Sequence, residues 1–103
     1  MIHVIAIITA KPGKRGEILE AFRANMPAVH AEEGCIEYQP VTDASGFSFQ
    51  TELGPDTFMV IEKWSGPETL KAHAAAPHMA AYAAKVKDLI ADRRVHVLED
   101  AQG

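Results

Sequence analysis

Apolar residues at the start of the chain follow two different spacings, which predict a strand and then a helix. The opening stretch MIHVIAIITA is rich in β-branched residues and ends at KPG, as a strand followed by a turn does. Over residues 13–33 a helical spacing is carried by Ile18, Phe22, Met26 and Val29. Pro27 lies inside this pattern and predicts a kink, and Gly34 suits the left-handed position just past the helix end.

Two further apolar stretches alternate with polar residues and predict strands. CIEYQPVT is the second strand, and its Pro40 favours an edge position or a bulge. TFMVIEKW is the third strand. Between them, residues 43–56 are punctuated by Ser-Gly and Gly-Pro and predict a long loop. A loop of this length in so small a domain is usually functional or mobile.

The last third of the chain predicts two helices and a final strand. Ser65 and Glu68 have the spacing of a capping box, so a short helix should begin there and run to about Ala76. Pro77 is a good first residue for a second helix, PHMAAYAAKVKDLIADR, over residues 77–93. RVHVLE, which begins at Arg94, then closes the chain as the fourth strand.

The predicted order of elements, β-α-β-β-α-β, is typical of a ferredoxin-like α+β fold in one domain that spans residues 1–103. Helices cover one face of such a four-stranded antiparallel sheet. In the first strand, however, both faces are apolar, because Val4 and Ala6 point one way while Ile5 and Ile7 point the other. We expect the second face to be buried against a copy of the same chain.

Side chains able to transfer protons or stack on a ring are concentrated in the stretch EKWSGPETLKAHAAAPHM. Glu62 and Trp64 alternate onto one face of the third strand. His73 lies about two turns into the helix that follows, and His78 opens the next helix. His3 begins the first strand. If its side of the strand is the helix-free one, as we expect, carboxylate, indole and imidazole converge on one cavity.

These residue types suit catalysis by a general base. Imidazole titrates near neutral pH, so His73 is the default acceptor of a proton from a weak carbon or oxygen acid. A glutamate within hydrogen-bond reach, here Glu62, would orient the imidazole and stabilise the cation that forms. The indole of Trp64 offers a flat stacking surface. A purely structural alternative has Glu62 paired with a lysine and Trp64 in the core.

The chain carries no sequence signal for several other classes of site. His73 and His78 lack the same-face spacing of a helical metal-binding pair, and no G-x-G-x-x-G follows a strand. A net charge of −4 and the lack of a basic cluster argue against nucleic acid. The apolar start is too short for a membrane span and lacks the features of a signal peptide. The single cysteine, Cys35, favours a buried thiol in a reducing cytoplasm.

Three segments together resemble the antibiotic biosynthesis monooxygenase family of dimeric α+β barrel proteins: KPGKRGEILEAF, EEGCIEY, and IEKWSGPETLKAHAAAPHM with its Glu-x-Trp pair and two histidines. The resemblance spans nearly the whole chain. The family's functions diverge among small quinol monooxygenases, enzymes that oxidise polyketide hydroquinones, haem-degrading enzymes, and an isomerase of a phosphorylated quorum signal. The haem-degrading branch fits least, because its first-strand asparagine is missing and Ala83 stands at approximately its haem-ligand position.

The resemblance implies a homodimer whose sheets form a barrel, with one pocket per subunit between sheet and helices. It also implies oxygenation of a quinol-like or polyketide-like aromatic molecule by O₂ without flavin, metal or haem. The catalytic residues that it implies are His73, Glu62 and Trp64. The substrate-binding residues that we expect are His3, His78, Tyr38 and Phe49, the last on the 43–56 loop, which could act as a lid.

Two other functions suit the same sequence. An isomerase or epimerase that moves a proton next to a carbonyl group would use the same base without oxygen. A dimer that binds or senses a small molecule would use the same pocket without chemistry. The sequence does not separate the oxygenase from the isomerase, because both need a positioned base in an apolar pocket.

Overall fold

The computed structural model describes residues 1–102, which form a four-stranded antiparallel sheet with helices on one face. The elements in chain order are β1 (Ile2–Ala10), α1 (Arg15–His30), β2 (Cys35–Val41), β3 (Thr57–Trp64), α2 (Pro67–Ala74), α3 (Pro77–Val86), a 3₁₀ turn (Lys87–Leu89) and β4 (Ile90–Glu99). The strand order is β2-β3-β1-β4. The predicted ferredoxin-like α+β fold is confirmed, with two consecutive helices between β3 and β4 and a sheet that is not closed.

β1 lies inside the sheet, between β3 and β4, and its side chains alternate between the two faces. The buried set, which packs with the helices, is Val4, Ala6, Ile8 and Ala10. The set on the helix-free face is only partly buried and consists of His3, Ile5, Ile7 and Thr9. The two apolar faces predicted from the sequence are therefore present, and helices cover one of them.

α1 supplies most of the helical half of the core. Its buried residues are Ile18, Leu19, Ala21, Phe22 and Val29. The helix continues through Pro27, as predicted, but ends at His30 rather than at Glu33. Gly34 then adopts a positive φ of 79°, the left-handed conformation that glycine adopts at little steric cost.

The largest difference from the sequence prediction lies at the end of the chain. The sequence predicts a helix over residues 77–93, whereas α3 ends at Val86 and β4 begins at Ile90 rather than at Arg94. Val86 and Leu89 continue a helical spacing, which explains the prediction. β4 nevertheless pairs with β1 as far as Ala10, and the backbone groups at that end of β1 would otherwise be unpaired.

The capping box predicted at Ser65 and Glu68 is wrong by one residue. The N-cap of α2 is Gly66, whose N–H donates to Thr69 Oγ1 at 3.4 Å. Ser65 instead follows the end of β3, where its N–H donates to the Gly34 carbonyl oxygen 2.9 Å away. A Cβ at Gly34 would lie 2.5 Å from Ser65 Oγ, so the contact needs glycine for its space as well as for its φ.

β2 forms one edge of the sheet, which agrees with Pro40 in its sequence. Residues 43–56 form no helix or strand, as predicted. None of the helices within residues 1–102 is long and apolar enough to cross a membrane.

Candidate active site

A cavity of about 460 Å³ lies between the sheet and the helices. Its floor is apolar and includes Val4, Ala6, Ile8 and Val60. α2 and α3 form its roof, and it is open along β4, where Val95 and Val97 remain 41% and 58% exposed. The polar side chains that line it include Glu62, His73 and the hydroxyl-bearing Tyr38 and Tyr82.

Glu62 is a buried carboxylate held by the indole of Trp64. It is 7% exposed, and Trp64 Nε1–H donates to its Oε1 at 2.9 Å. Burial raises the pKa of Glu62, although the Trp64 hydrogen bond and the His73 and Arg93 charges oppose that rise. Within residues 1–102 Glu62 makes no ion pair with a lysine, and its neighbour Lys63 lies on the opposite face and pairs with Glu37.

Trp64 is fully buried and does not line the cavity. The expectation that its ring offers a stacking surface to a substrate is therefore wrong. Its ring instead packs against that of His73, with centroids 4.5 Å apart. Trp64 positions both the carboxylate of Glu62 and the imidazole of His73.

His73 is an imidazole aimed from α2 into the interior. Among the eight residues of α2, all of them described, His73 alone is buried. Its Nδ1 lies 2.9 Å from Glu32 Oε2, and its Nε2 lies 4.0 Å from Glu62 Oε1. An ionised carboxylate can only accept, so in the neutral form of His73 Nδ1 carries the hydrogen and Nε2 keeps its lone pair on the side of Glu62.

Glu32 orients His73, and the sequence analysis did not identify it. Its carboxylate also accepts from His78 Nε2 at 2.7 Å, so it bridges two imidazoles. It follows the C-terminal end of α1, where the helix dipole disfavours negative charge. A glutamate at this unfavourable position, in the stretch HAEEGC, is the sequence feature that could have indicated a role for Glu32. The sequence assigns the orienting role to Glu62, which lies too far from Nε2 for a hydrogen bond.

Tyr38 and His78 occupy different places relative to the cavity. Tyr38 lines it, and its ring packs against those of Phe22 and His73. Burial raises the pKa of Tyr38, and it raises the pKa of Tyr82 to about 12, so both hydroxyls keep their protons at neutral pH. His78 does not line the cavity and is connected to it through Glu32 and then His73.

The structure does not bring His3 or Phe49 to the cavity. His3 pairs with Lys63 across β1 and β3 and therefore lies on the helix-free face, where its Nε2 is 2.8 Å from Asp100 Oδ1. The expected convergence fails for His3 because Glu62 and Trp64 lie on the helix-covered face. Phe49 is 85% exposed in the 43–56 loop.

Hydrogen bonds hold the 43–56 loop in a position away from the cavity. The carboxylate of Asp43 accepts from the N–H groups of Leu53 and Gly54, and these hydrogen bonds lower its pKa. Arg15 donates to the carbonyl oxygens of Gly54 and Thr57. No described residue of the loop lines the cavity, so within one protomer the loop is not a lid.

Arg93 and Cys35 are two further titratable residues. Arg93 lines the cavity from β4, although the sequence assigns it to a helix. Cys35 has a raised pKa, chiefly through burial, and so remains a thiol rather than a reactive thiolate. Among residues 1–102, no three His, Cys, Asp or Glu side chains are placed to hold a metal ion.

Comparison with known proteins identifies relatives across nearly the whole chain. A profile of the family described as "Antibiotic biosynthesis monooxygenase" matches residues 1–85. The chain is 39% identical over 102 residues to the Escherichia coli (strain K12) protein named "Probable quinol monooxygenase YgiN", a match that covers 96% of this chain and 97% of that one.

Two solved structures share the fold. PA3566 from Pseudomonas aeruginosa superposes with a TM-score of 0.80 at 24% identity, over 96% of this chain and 92% of that one. Rv0793 from Mycobacterium tuberculosis gives the same TM-score and identity over 99% and 96%. At this identity the likeness shows the fold alone.

Proposed function

The chain belongs to the antibiotic biosynthesis monooxygenase family, and we propose that it oxidises a quinol-like or polyketide-like aromatic molecule with O₂ and without a resident cofactor. Family membership and the name of the E. coli relative support a small-molecule monooxygenase in general. The aromatic substrate and the use of O₂ are the further step, and the cavity supports them.

The observation that carries the proposal is the hydrogen bond between Glu32 and His73. It fixes the imidazole so that Nε2 can accept a proton beside an apolar cavity. It also stabilises the imidazolium that forms, as the carboxylate of a catalytic triad does. The rings of Trp64 and Tyr38 on either side restrict rotation of the imidazole.

The chemistry follows from removing a phenolic proton. Nε2 of His73 accepts the proton of a hydroquinone hydroxyl, and the resulting phenolate is electron-rich enough to pass electrons to O₂. One oxygen atom replaces a ring hydrogen and the other leaves as water, whose two hydrogens come from the substrate. The hydroquinone is thereby oxidised by four electrons to a hydroxyquinone. The protein supplies the base, the orientation and the exclusion of water.

Glu62 gives specific support to the isomerase as a second candidate. Burial raises its pKa and so disfavours its charged form, and a carboxyl group beside a base can help move a proton between neighbouring carbons. A binding dimer without chemistry uses the same cavity but does not account for an oriented, buried imidazole.

Oxygen uptake tests the proposal. We expect metal-free protein to consume O₂ with at least one member of a panel of hydroquinones, and His73→Gln to lower the rate of that uptake by about 10²–10⁴-fold. His96→Gln, on the helix-free side of β4 opposite Ile5, is the matched control and should leave the rate unchanged, provided that ultracentrifugation shows the oligomeric state of the wild type. Turnover of an enolisable carbonyl compound without oxygen would select the isomerase, and binding without turnover would select the sensor.

We also propose that the protein is a homodimer that buries the helix-free face. Ile5, Ile7, Met59 and Ile61 lie on that face and remain partly exposed, and β4 is exposed along nearly its whole length. An apolar face of this kind is most economically covered by a second copy. A cytoplasmic location stays a prediction from the single cysteine.

A further inference from the structure

Arg93 brings a positive charge to the open side of the cavity, and the proposed oxidation does not use it. It pairs with Ile8 across β4 and β1 and lines the cavity. Its guanidinium makes no ion pair or hydrogen bond with another residue in the range 1–102. The next residue, Arg94, lies on the opposite face, where its Nε is 3.2 Å from Asp92 Oδ2.

The cavity lining is more positive than the chain as a whole. The chain carries a net charge of −4, whereas the described lining contains Lys71 and Arg93 and only one carboxyl group, that of Glu62. Burial raises the pKa of Glu62 and so disfavours its charged form. The Arg93 charge opposes the effect of burial on the pKa of both Glu62 and Tyr82, so it acts at two side chains inside the cavity. Low-dielectric walls focus such a field on a ligand.

The positive charge and the base lie at different ends of an apolar stretch. Glu62 pairs with Val4 of β1, and Arg93 pairs with Ile8, four residues further along, so their backbones are about 13 Å apart by strand geometry. The long Arg93 side chain brings its charge close enough to act on Glu62. Ala6 forms part of the floor between them. A ligand that contacts both ends therefore needs an apolar middle and an acidic substituent.

We propose that the cavity selects an aromatic acid, with its phenolic hydroxyl at His73 and its carboxylate at Arg93. The planar guanidinium suits a carboxylate, because its N–H groups match both carboxylate oxygens. The placing of the hydroxyl rests on the proposed function, whereas the preference for a negative charge does not. Arg93 is thus a specificity-determining residue rather than a source of rate.

A matched pair of ligands tests this preference without turnover. 4-Hydroxybenzoate and 4-hydroxybenzamide have nearly the same shape, neither is a hydroquinone, and only the first is negatively charged. In calorimetric titrations of the wild-type protein we expect the acid to bind about tenfold more tightly than the amide, the effect of one partly exposed charge-assisted hydrogen bond. Arg93→Gln should remove the preference, Arg93→Lys should retain part of it, and Arg94→Gln should leave it unchanged.

Equal affinities in the wild-type protein, a preference that survives Arg93→Gln, or failure of the wild type to bind either ligand would overturn the inference. Loss of the preference in Lys71→Gln but not in Arg93→Gln would also overturn it. Thermal unfolding verifies that each variant is folded. If the preference is found but no hydroquinone supports oxygen uptake, the proposed oxidation fails while the anion preference stands.

Discussion

The two faces of the sheet carry the same kinds of polar residue in opposite settings. On the helix-covered side, His73 is buried and shares a carboxylate with His78. On the helix-free side, His3 pairs with an exposed Asp100, and Lys63 pairs with Glu37 at 3.0 Å. Exposed pairs contribute little and their side chains remain free to move, whereas a buried, fully partnered imidazole has one orientation. Burial, rather than residue type, separates the candidate site from its scaffold.

Exchanging a histidine on each face should give the largest contrast. His73→Gln should preserve the fold but lower turnover by about 10²–10⁴-fold, since an amide accepts no proton near neutral pH and a general base is worth that much. His3→Gln removes a pair that is exposed in the protomer and, with the oligomeric state of the wild type verified, should leave the rate near that of the wild type. Initial rates of oxygen uptake measure both. Near-normal activity in His73→Gln would make His73 part of the scaffold.

A charge introduced on the helix-free face should weaken the association of two protomers rather than change the chemistry in the cavity. Ile61→Asp should weaken the proposed dimer by about 3 kcal/mol, or roughly 10²-fold, because an unpaired charge would be buried between the sheets. Ala24→Asp, on an exposed position of α1, serves as the control and should associate like the wild type. Analytical ultracentrifugation gives the dissociation constants. A wild-type protein that is a stable, folded monomer at micromolar concentration would contradict the dimer.

Neutralising the residue that orients His73 should lower turnover by about 10²-fold, the lower end of what a general base contributes. In Glu32→Gln the amide nitrogen can donate to Nδ1, which places the ring hydrogen on Nε2 and removes the base. Glu33→Gln changes an exposed neighbour with the same loss of charge and should have little effect. The two variants are compared by kcat at saturating substrate. Equal losses in both would indicate a general effect of charge rather than orientation.

The turn that carries Glu32 should be sensitive to one added methyl group. Gly34→Ala should lower the free energy of unfolding by about 2 kcal/mol, because φ is positive and the new Cβ would lie within 2.6 Å of Ser65 and Thr69 atoms. Gly16→Ala, in α1 with nothing within 4 Å of the new Cβ, should be neutral or stabilising. Urea unfolding measures both, and equal stabilities would refute the steric argument.

The smallest expected effects are on stability at neutral pH, where replacing a glutamate by glutamine should have opposite signs on the two faces of the sheet. Burial raises the folded-state pKa of Glu62, so wild-type stability should fall as pH rises through that pKa. Glu62→Gln cannot ionise and should be more stable than the wild type at neutral pH, with no difference in acid. The Lys63 hydrogen bond lowers the pKa of Glu37, so Glu37→Gln should instead be slightly less stable at neutral pH. Urea unfolding from acid to neutral pH measures the free energy of unfolding of both variants. A change in the same direction in both would contradict this account.

Much of the fold was predictable because local patterns and tertiary pairing agree. β3 has the predicted boundaries, and Pro40 marks an edge strand. The start of β4 was not predictable, because its helical spacing is overridden by pairing with the far end of β1. The prediction that Arg93 lies in a helix was wrong for the same reason.

The candidate site was predictable only where its residues are close in sequence. Glu62, Trp64 and His73 come together as expected, because a strand and the helix after it fix their relation. Glu32 is 41 residues from His73, and no spacing rule reports a contact over that distance. The stacking role predicted for Trp64 was wrong, because alternation along a strand predicts which face of the sheet a side chain is on but not how deeply it is buried.

The same 41-residue separation has a consequence for folding. Glu32 comes from the first half of the β-α-β-β-α-α-β order, and His73 and His78 come from the second half, so the bridge between them closes only when the halves dock. Contacts of such long sequence separation bear a large loop-closure entropy and tend to form slowly. The three strand pairings also join the two halves, so an intermediate whose helices form before the sheet would lack the oriented imidazole. Recovery of catalysis during refolding should therefore lag behind recovery of helical structure, which makes activity a reporter of the docking step.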